Sequence, residues 1–179
     1  MTARLDMAVA TQFVARLHAA VNAHDAEGIA ALCSEDVEWN DPAAARPLRG
    51  RAEVAEFHRL GMFRALPDVR IEVTDGPYLL MDGSGIAVRA TIAGTMSGPL
   101  HPPGFAATGT RVEFQTAEFS LIRDGLLVRH TVILNMLELA RQIGAFPDSG
   151  SLGERVGVAV QHASASVMRR RARRQSRGR

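Results

Sequence analysis

An α+β domain, with helices segregated to one side of a curved antiparallel sheet, is predicted by three observations. Apolar residues recur at helical spacing over residues 8–24 and again over 50–66. From Val69 the pattern switches to the two-residue alternation of strands. Arg123-Asp124-Gly125 then separates two β-rich runs, and Gly after Asp supplies the positive φ that a tight hairpin turn needs.

The elements follow in order. Residues 8–24 bring Val9, Phe13, Leu17, Ala20 and Val21 to one helix face. Asn22-Ala23-His24-Asp25 breaks that helix, and Asp25 caps a second short one through Cys33. Val37-Glu38-Trp39-Asn40 reads as a short strand stopped at Asp41-Pro42, where proline removes a ladder donor. A loop over 43–50 leads to a third helix, apolar at Val54, Phe57, Leu60, Met62 and Phe63 and ended by Pro67-Asp68. Strands are expected at Val69–Thr74, Tyr78–Met81 and Ile86–Met96, with a turn at Asp82–Gly85. A proline-rich loop, Ser97–Gly104, holds His101, an exposed residue that would gate a pocket mouth if it is functional. The 111–134 hairpin closes the series and passes into a short helix ending at Gly144.

On the hairpin, Val112, Phe114, Thr116, Glu118, Ser120 and Ile122 should share one face, and Val128, His130, Val132 and Leu134 one face of the partner strand. Glu118 stands out as a carboxylate within a run that otherwise reads as buried. In an apolar surrounding its charged form would be desolvated, raising its pKa toward neutrality and suiting it to proton transfer. His130 on the adjacent strand would hold such a relay in register. A solvent-facing or ion-paired Glu118 is the plainer alternative.

Composition sets the outer bounds. The chain has 179 residues, 46% hydrophobic and 22% charged, ordinary values for one globular domain. Residues 1–148 form that domain, 149–168 an additional C-terminal helix, and 169–179 a disordered arginine-rich tail. Every one of the 21 basic residues is arginine, and seven lie in the last eleven positions. The remaining 14 face 19 acidic residues, so the body is mildly acidic and the basicity belongs to the tail. The tail leaves room for weak, non-specific contact with nucleic acid, but no aromatic stacking residues accompany it and no nucleic-acid partner is expected. One cysteine, Cys33, excludes an internal disulfide and a cysteine-based zinc site, which suits a reducing cytoplasm. No apolar run reaches membrane-spanning length, and the first residues lack the continuous apolar core of a signal peptide. Ser-His-Asp arrangements, phosphate loops and metal-ligand spacings are not seen.

Several blocks taken together resemble the SnoaL-like polyketide cyclases of the nuclear transport factor 2-like superfamily. They are Trp39-Asn40-Asp41-Pro42, Leu48-Arg49-Gly50-Arg51, Leu66–Val73, Gly94–Gly98, Arg111-Val112-Glu113-Phe114 and Ile122–His130. The resemblance covers about residues 8–146. It implies a cone in which a curved sheet and three helices enclose a deep apolar pocket, a homodimer, and no metal or organic cofactor.

The family's His-Trp-Asp reads His130-Thr131-Val132 here, so the usual acid–base aspartate is Val132. A second frequent aspartate is Asn135, and a frequent histidine is Met96. Glu118 falls where relatives carry a pocket Asp or His, and Asn40 where several carry a pocket Asn. The resemblance thus implies catalytic roles for Glu118, His130 and Asn40. Trp39, Phe57, Met96, Phe114, Thr116, Val132 and Asn135 are the expected substrate-binding residues. Asp41 reads as a turn or cap residue. The function expected is cofactor-free cyclisation or isomerisation of an apolar natural product such as a polyketide. Epoxide opening of the limonene-epoxide-hydrolase kind and non-catalytic small-molecule binding are the alternatives.

Overall fold

The structure is a computed structural model that describes residues 5–100 and 104–176, with the backbone alone at 166 and 170–176. His101, Arg177 and Arg179 lie outside the described residues. Helix α1 spans Met7–Asn22 and is capped by Asp6, whose carboxylate accepts the Val9 amide at 2.8 Å. Its buried stripe is Ala10, Phe13, Val14, Leu17, His18 and Val21, while Val9 is exposed. Asp25 caps α2 (Ala26–Ala31), accepting the Gly28 amide at 2.8 Å. That helix stops before Cys33, because the Leu127 amide donates to the Leu32 carbonyl at 2.9 Å and draws the chain into the sheet.

Strands β1 (Cys33–Asn40) and β2 (Leu48–Arg49) precede α3 (Gly50–Glu56), a π-helical turn (Phe57–Met62) and α4 (Phe63–Ala65). His58 is buried, four residues after buried Val54 on the same helix face, and Leu60, expected inside, is exposed on the opposite side. Strands β3 (Arg70–Leu79), β4 (Gly85–Thr95), β5 (Arg111–Arg123) and β6 (Leu126–Leu134) follow, then α5 (Met136–Gln142) and α6 (Leu152–Ser176). The sheet order is β2-β1-β6-β5-β4-β3. Its pairs are antiparallel, as expected, except for a parallel β1–β6 pair that sets Trp39 beside His130.

The hairpin matches the expected turn, with Asp124 and Gly125 both at positive φ. On β5 the alternating residues Val112 through Ile122, Glu118 included, are all buried. On β6 the expected face is shifted. A bulge between Leu121 and Ile122 places an extra residue in β6, so Leu127, not Val128, joins His130 and Val132 inside.

Helix α6 runs on through residues 169–176, past the expected end at 168, in keeping with arginine's good helix propensity. Its apolar side chains Leu152, Val156, Val158 and Val160 are exposed, and Arg141–Glu154 at 3.2 Å ties its first turn to α5. No helix among the described residues is long and apolar enough to cross a membrane.

Candidate functional site

Between the helices and the concave face of the sheet lies a cavity of about 80 Å³, measured to the centres of water-sized spheres. Its wall is overwhelmingly apolar, with Trp39, Phe57 and Phe114 as its aromatic members. Five titratable side chains interrupt that wall: His18, Asp41, His58, Glu118 and His130.

Glu118 sits on β5 at the centre of this set. Its Oε2 accepts the His18 Nε2–H at 3.0 Å, and its Oε1 accepts the Thr116 hydroxyl at 3.2 Å. His130 Nε2 stands 3.9 Å from Oε2. Burial is the largest influence on this carboxyl and pushes its pKa up. The His18 hydrogen bond, the His130 and His18 imidazoles close by and the Thr116 hydroxyl together overcome that, holding Glu118 below its ordinary value. The expectation of a raised pKa is therefore corrected: a desolvated carboxylate with two imidazoles and a hydroxyl around it stays ionised.

His130 is fully buried, hydrogen-bonded through Nδ1 to the Ser120 hydroxyl at 3.0 Å and stacked against Trp39 with ring centroids 4.1 Å apart. Burial lowers its pKa to about 4, against the opposing pull of Glu118, so it is neutral near pH 7. His58 comes from the π turn and packs edge-on to Trp39 at 5.0 Å. Its Nδ1–H donates to the Val54 carbonyl at 2.8 Å, which fixes the tautomer and leaves Nε2 bare. Burial likewise takes His58 to about 4.

Asp41 is the second carboxyl on the cavity. The strand period that turns Val37 and Trp39 inward turns the next odd position inward too. Its Oδ1 accepts the Ala43 amide at 2.8 Å, the turn bond expected of an Asp before Pro. Burial pushes Asp41 up to about 6, with the Ala43 amide and the Trp39 indole pulling it back and the Glu118 charge adding to the rise. The indole acts there as a dipole, since Trp39 Nε1 closes no hydrogen bond of normal geometry. Asp41 and Val132 also face an outer groove bordered by Asn40 and Arg46, so this carboxyl forms part of the wall between cavity and surface.

Of the expected site residues, Glu118, His130, Trp39, Phe57, Met96, Phe114 and Val132 line the cavity. Thr116 is buried behind Glu118 and positions it. Two are corrected. Asn40 points away from the cavity, as the neighbour of inward Trp39 must, and donates to Glu38 Oε1 at 3.2 Å. Asn135 is an exposed N-cap of α5, accepting the Glu138 amide at 3.2 Å. His18, His58 and Asp41 were not anticipated. His18 was within reach of the sequence, since it follows Val14 at i+4 on the buried stripe of α1.

Cys33 is buried, as expected of a core cysteine, and burial raises its thiol to about 11, beyond thiolate chemistry. No group of three or more His, Cys, Asp or Glu side chains among the described residues is arranged to hold a metal ion.

The comparisons agree with this architecture. AclR, a candidate hydroxylase from Streptomyces galilaeus, superposes with a TM-score of 0.67 at 23% identity, over 91% of this chain and 98% of its own. A candidate polyketide cyclase from Pseudomonas putida superposes at 0.61 with 27% identity, over 74% and 96% of the two chains. A protein of ketosteroid isomerase-like fold from Catenulispora acidiphila superposes at 0.62 with 15% identity, over 74% and 92%. No curated protein sequence matches the chain. The SnoaL-like domain model matches residues 14–130, well over half of the sequence. With the cone, its cavity and that match together, the chain belongs to the SnoaL-like domain family.

Proposed function

We propose that the chain is a cofactor-independent cyclase or isomerase of natural-product biosynthesis that rearranges a hydrophobic small molecule by proton transfer. The observation that carries this reading is a pair of carboxyls on one apolar cavity whose environments push them in opposite directions. Asp41, raised to about 6, is mostly ionised at pH 7 yet close enough to neutrality to take a proton and give it back. It is the general base in this mechanism, and its place in the wall beside the outer groove gives it a route to exchange protons with solvent. Glu118 remains charged throughout, fixing His18 by its hydrogen bond and setting the local field.

Epoxide opening by a carboxylate–arginine–carboxylate relay is disfavoured, because no arginine lines the cavity among the described residues. We further propose a homodimer acting in the cytoplasm. Phe119 and Ile133 are exposed on the outer face of β5 and β6, and a second copy seated there would cover them.

The test is solvent exchange of α-protons. 1-Tetralone, a bicyclic carbon acid, is incubated with the protein in D₂O and its α-proton signals followed by NMR. Binding is read in parallel from the fluorescence of Trp39, the sole tryptophan, which lines the cavity. The wild-type protein should accelerate exchange, and Asp41→Asn should slow it by roughly 10²–10⁴-fold. Tetralone that binds without accelerated exchange would refute proton abstraction from a neutral ketone, and the absence of exchange in every carbon acid that binds would leave a small-molecule carrier.

A further inference from the structure

From the balance of charge around the cavity, we infer that its ligand is a cation: a hydrophobic ring frame bearing a positively charged nitrogen. This inference rests on the reading of the cavity as the substrate site, and not on the proton-transfer step. Two carboxyls, Asp41 and Glu118, face the space, and the chain has no lysine at all. No arginine lines the cavity among the described residues. Of the three imidazoles on the wall, His58 and His130 are neutral near pH 7. Even a protonated His18 would offset only one of the two carboxylates, so the cavity carries an uncompensated negative charge.

Such a charge in an apolar space is costly unless a partner arrives, and a ligand cation is the partner that removes the cost. The remaining surface fits the same ligand. Trp39, Phe57 and Phe114 put aromatic rings on the wall, and aromatic faces attract cations that have shed their water. Asp41 retains capacity as well: apart from the Ala43 amide on Oδ1, no hydrogen bond of normal geometry reaches its carboxyl among the described residues. An anionic ligand would meet two carboxylates and no fixed cation.

The charge also decides which proton transfer this cavity favours. Removing a proton beside a carbonyl creates an enolate close to Glu118 with no arginine or lysine on the wall to stabilise it, so a neutral ketone such as 1-tetralone should exchange more slowly than a cationic carbon acid. Beside an iminium nitrogen the step balances differently. The Asp41 carboxylate takes the α-proton, the C–H pair becomes the new C=C bond, and the C=N π pair returns to nitrogen as a lone pair. The products are a neutral enamine and a protonated Asp41, so opposite charges cancel where an enolate would merely relocate one.

Three probes on one bicyclic frame test the inference at pH 8: the 1,2-dimethyl-3,4-dihydroisoquinolinium cation, neutral 1-tetralone, and 1,2,3,4-tetrahydro-2-naphthoate. Dissociation constants come from Trp39 fluorescence on the full chain. The cation should bind at least about tenfold more tightly than the ketone, and the carboxylate most weakly. Asp41→Asn and Glu118→Gln should each shrink the cation preference while tetralone binding holds, which also shows that the variants are folded. Equal or tighter binding of the ketone or the carboxylate would overturn the inference, as would a cation preference that survives both substitutions. Tight cation binding without α-proton exchange in any probe would instead sink the catalytic reading and leave the cation site standing.

Discussion

Asp41→Asn should make the protein more stable while it disables the proposed chemistry. Burial raises the Asp41 pKa from 3.8 to about 6, and every tenfold gain in proton affinity corresponds to about 1.36 kcal/mol of preference for the neutral form. The full linkage value is therefore about 3 kcal/mol. The side chain is only half-buried and solvent screens part of its charge, so a realistic gain is about 1–2 kcal/mol. Asparagine keeps an oxygen for the Ala43 amide, so the turn after β1 survives. The sign follows from linkage. Between pH 4 and 6 the folded chain holds the Asp41 proton more tightly than the unfolded chain, so the wild type loses this stability as pH rises. The advantage of Asp41→Asn should be complete above about pH 6 and vanish below about pH 4. Urea titrations of both proteins at pH 8 and pH 4.5 measure the difference, and other titrating groups cancel in the comparison. A gap that does not change with pH, or a variant less stable at pH 8, would refute the burial argument. Unchanged catalysis in a more stable variant would remove Asp41 from the mechanism.

Further expectations follow from the same geometry. Because Asp41 must be ionised to act as base, kcat/KM should rise through about pH 6 to a plateau, and Asp41→Asn should flatten that limb. Glu118→Gln keeps one oxygen to accept from the Thr116 hydroxyl and puts an NH2 opposite His18, which can accept from it by switching tautomer, so stability should stay within about 1 kcal/mol of wild type, the altered hydrogen bond being offset by cheaper burial; a loss of several kcal/mol in chemical denaturation would mark the His18 pair as a structural necessity. Gly98→Ala should cost about 2–3 kcal/mol, since an added Cβ would lie 2.1 Å from the Arg64 carbonyl oxygen, a backbone atom that cannot swing aside; a midpoint matching wild type would show that the loop relaxes. Truncation after Met168 should leave the melting temperature of the body within a few degrees, because the preceding α6 side chains are exposed; a larger fall would reveal docking. Light scattering at the dimer mass is expected at micromolar concentration, and a monomer throughout would count against pairing through Phe119 and Ile133.

Where the chain's periodicity was unbroken, the site was legible. The two-residue alternation of β5 put Glu118 inside with Val112, Phe114 and Thr116, and the structure keeps it there. The same rule, applied through Val37 and Trp39, turns Asp41 inward and Asn40 outward; preferring Asn40 on family resemblance chose the wrong side of the strand. His18 was hidden by residue type, because a helix stripe is scored by apolar residues and histidine is not counted among them. Two features broke the period itself. The bulge in β6 replaced Val128 by Leu127 on the buried face, and the π turn interrupts the third helix at the point where Leu60 was expected inside. Both depend on pairing and packing that no local window contains. The pKa of Glu118 depended on partners from α1 and β6 lying far from it in sequence, so its direction could not be read from β5 alone.

The π turn at Phe57–Met62 makes this wall of the cavity a matter of residue count. A π-helical turn accommodates one residue more than the α-helix on either side of it, much as an inserted residue would. Deleting a single residue between Phe57 and Met62 would let the segment close as an uninterrupted α-helix, with α3 and the chain beyond it in nearly the same relation but one side chain fewer on the wall. Val54 and His58 face inward from before and within the turn, and Met62, Ala65 and Leu66 from its end and beyond. The additional residue therefore changes which side chains the turn presents to the cavity, while the groups on either side of it keep facing inward. Length variation in this segment would therefore switch cavity shape in one step, where substitution would need several, and it offers a single-codon handle for redesigning what the cone accepts.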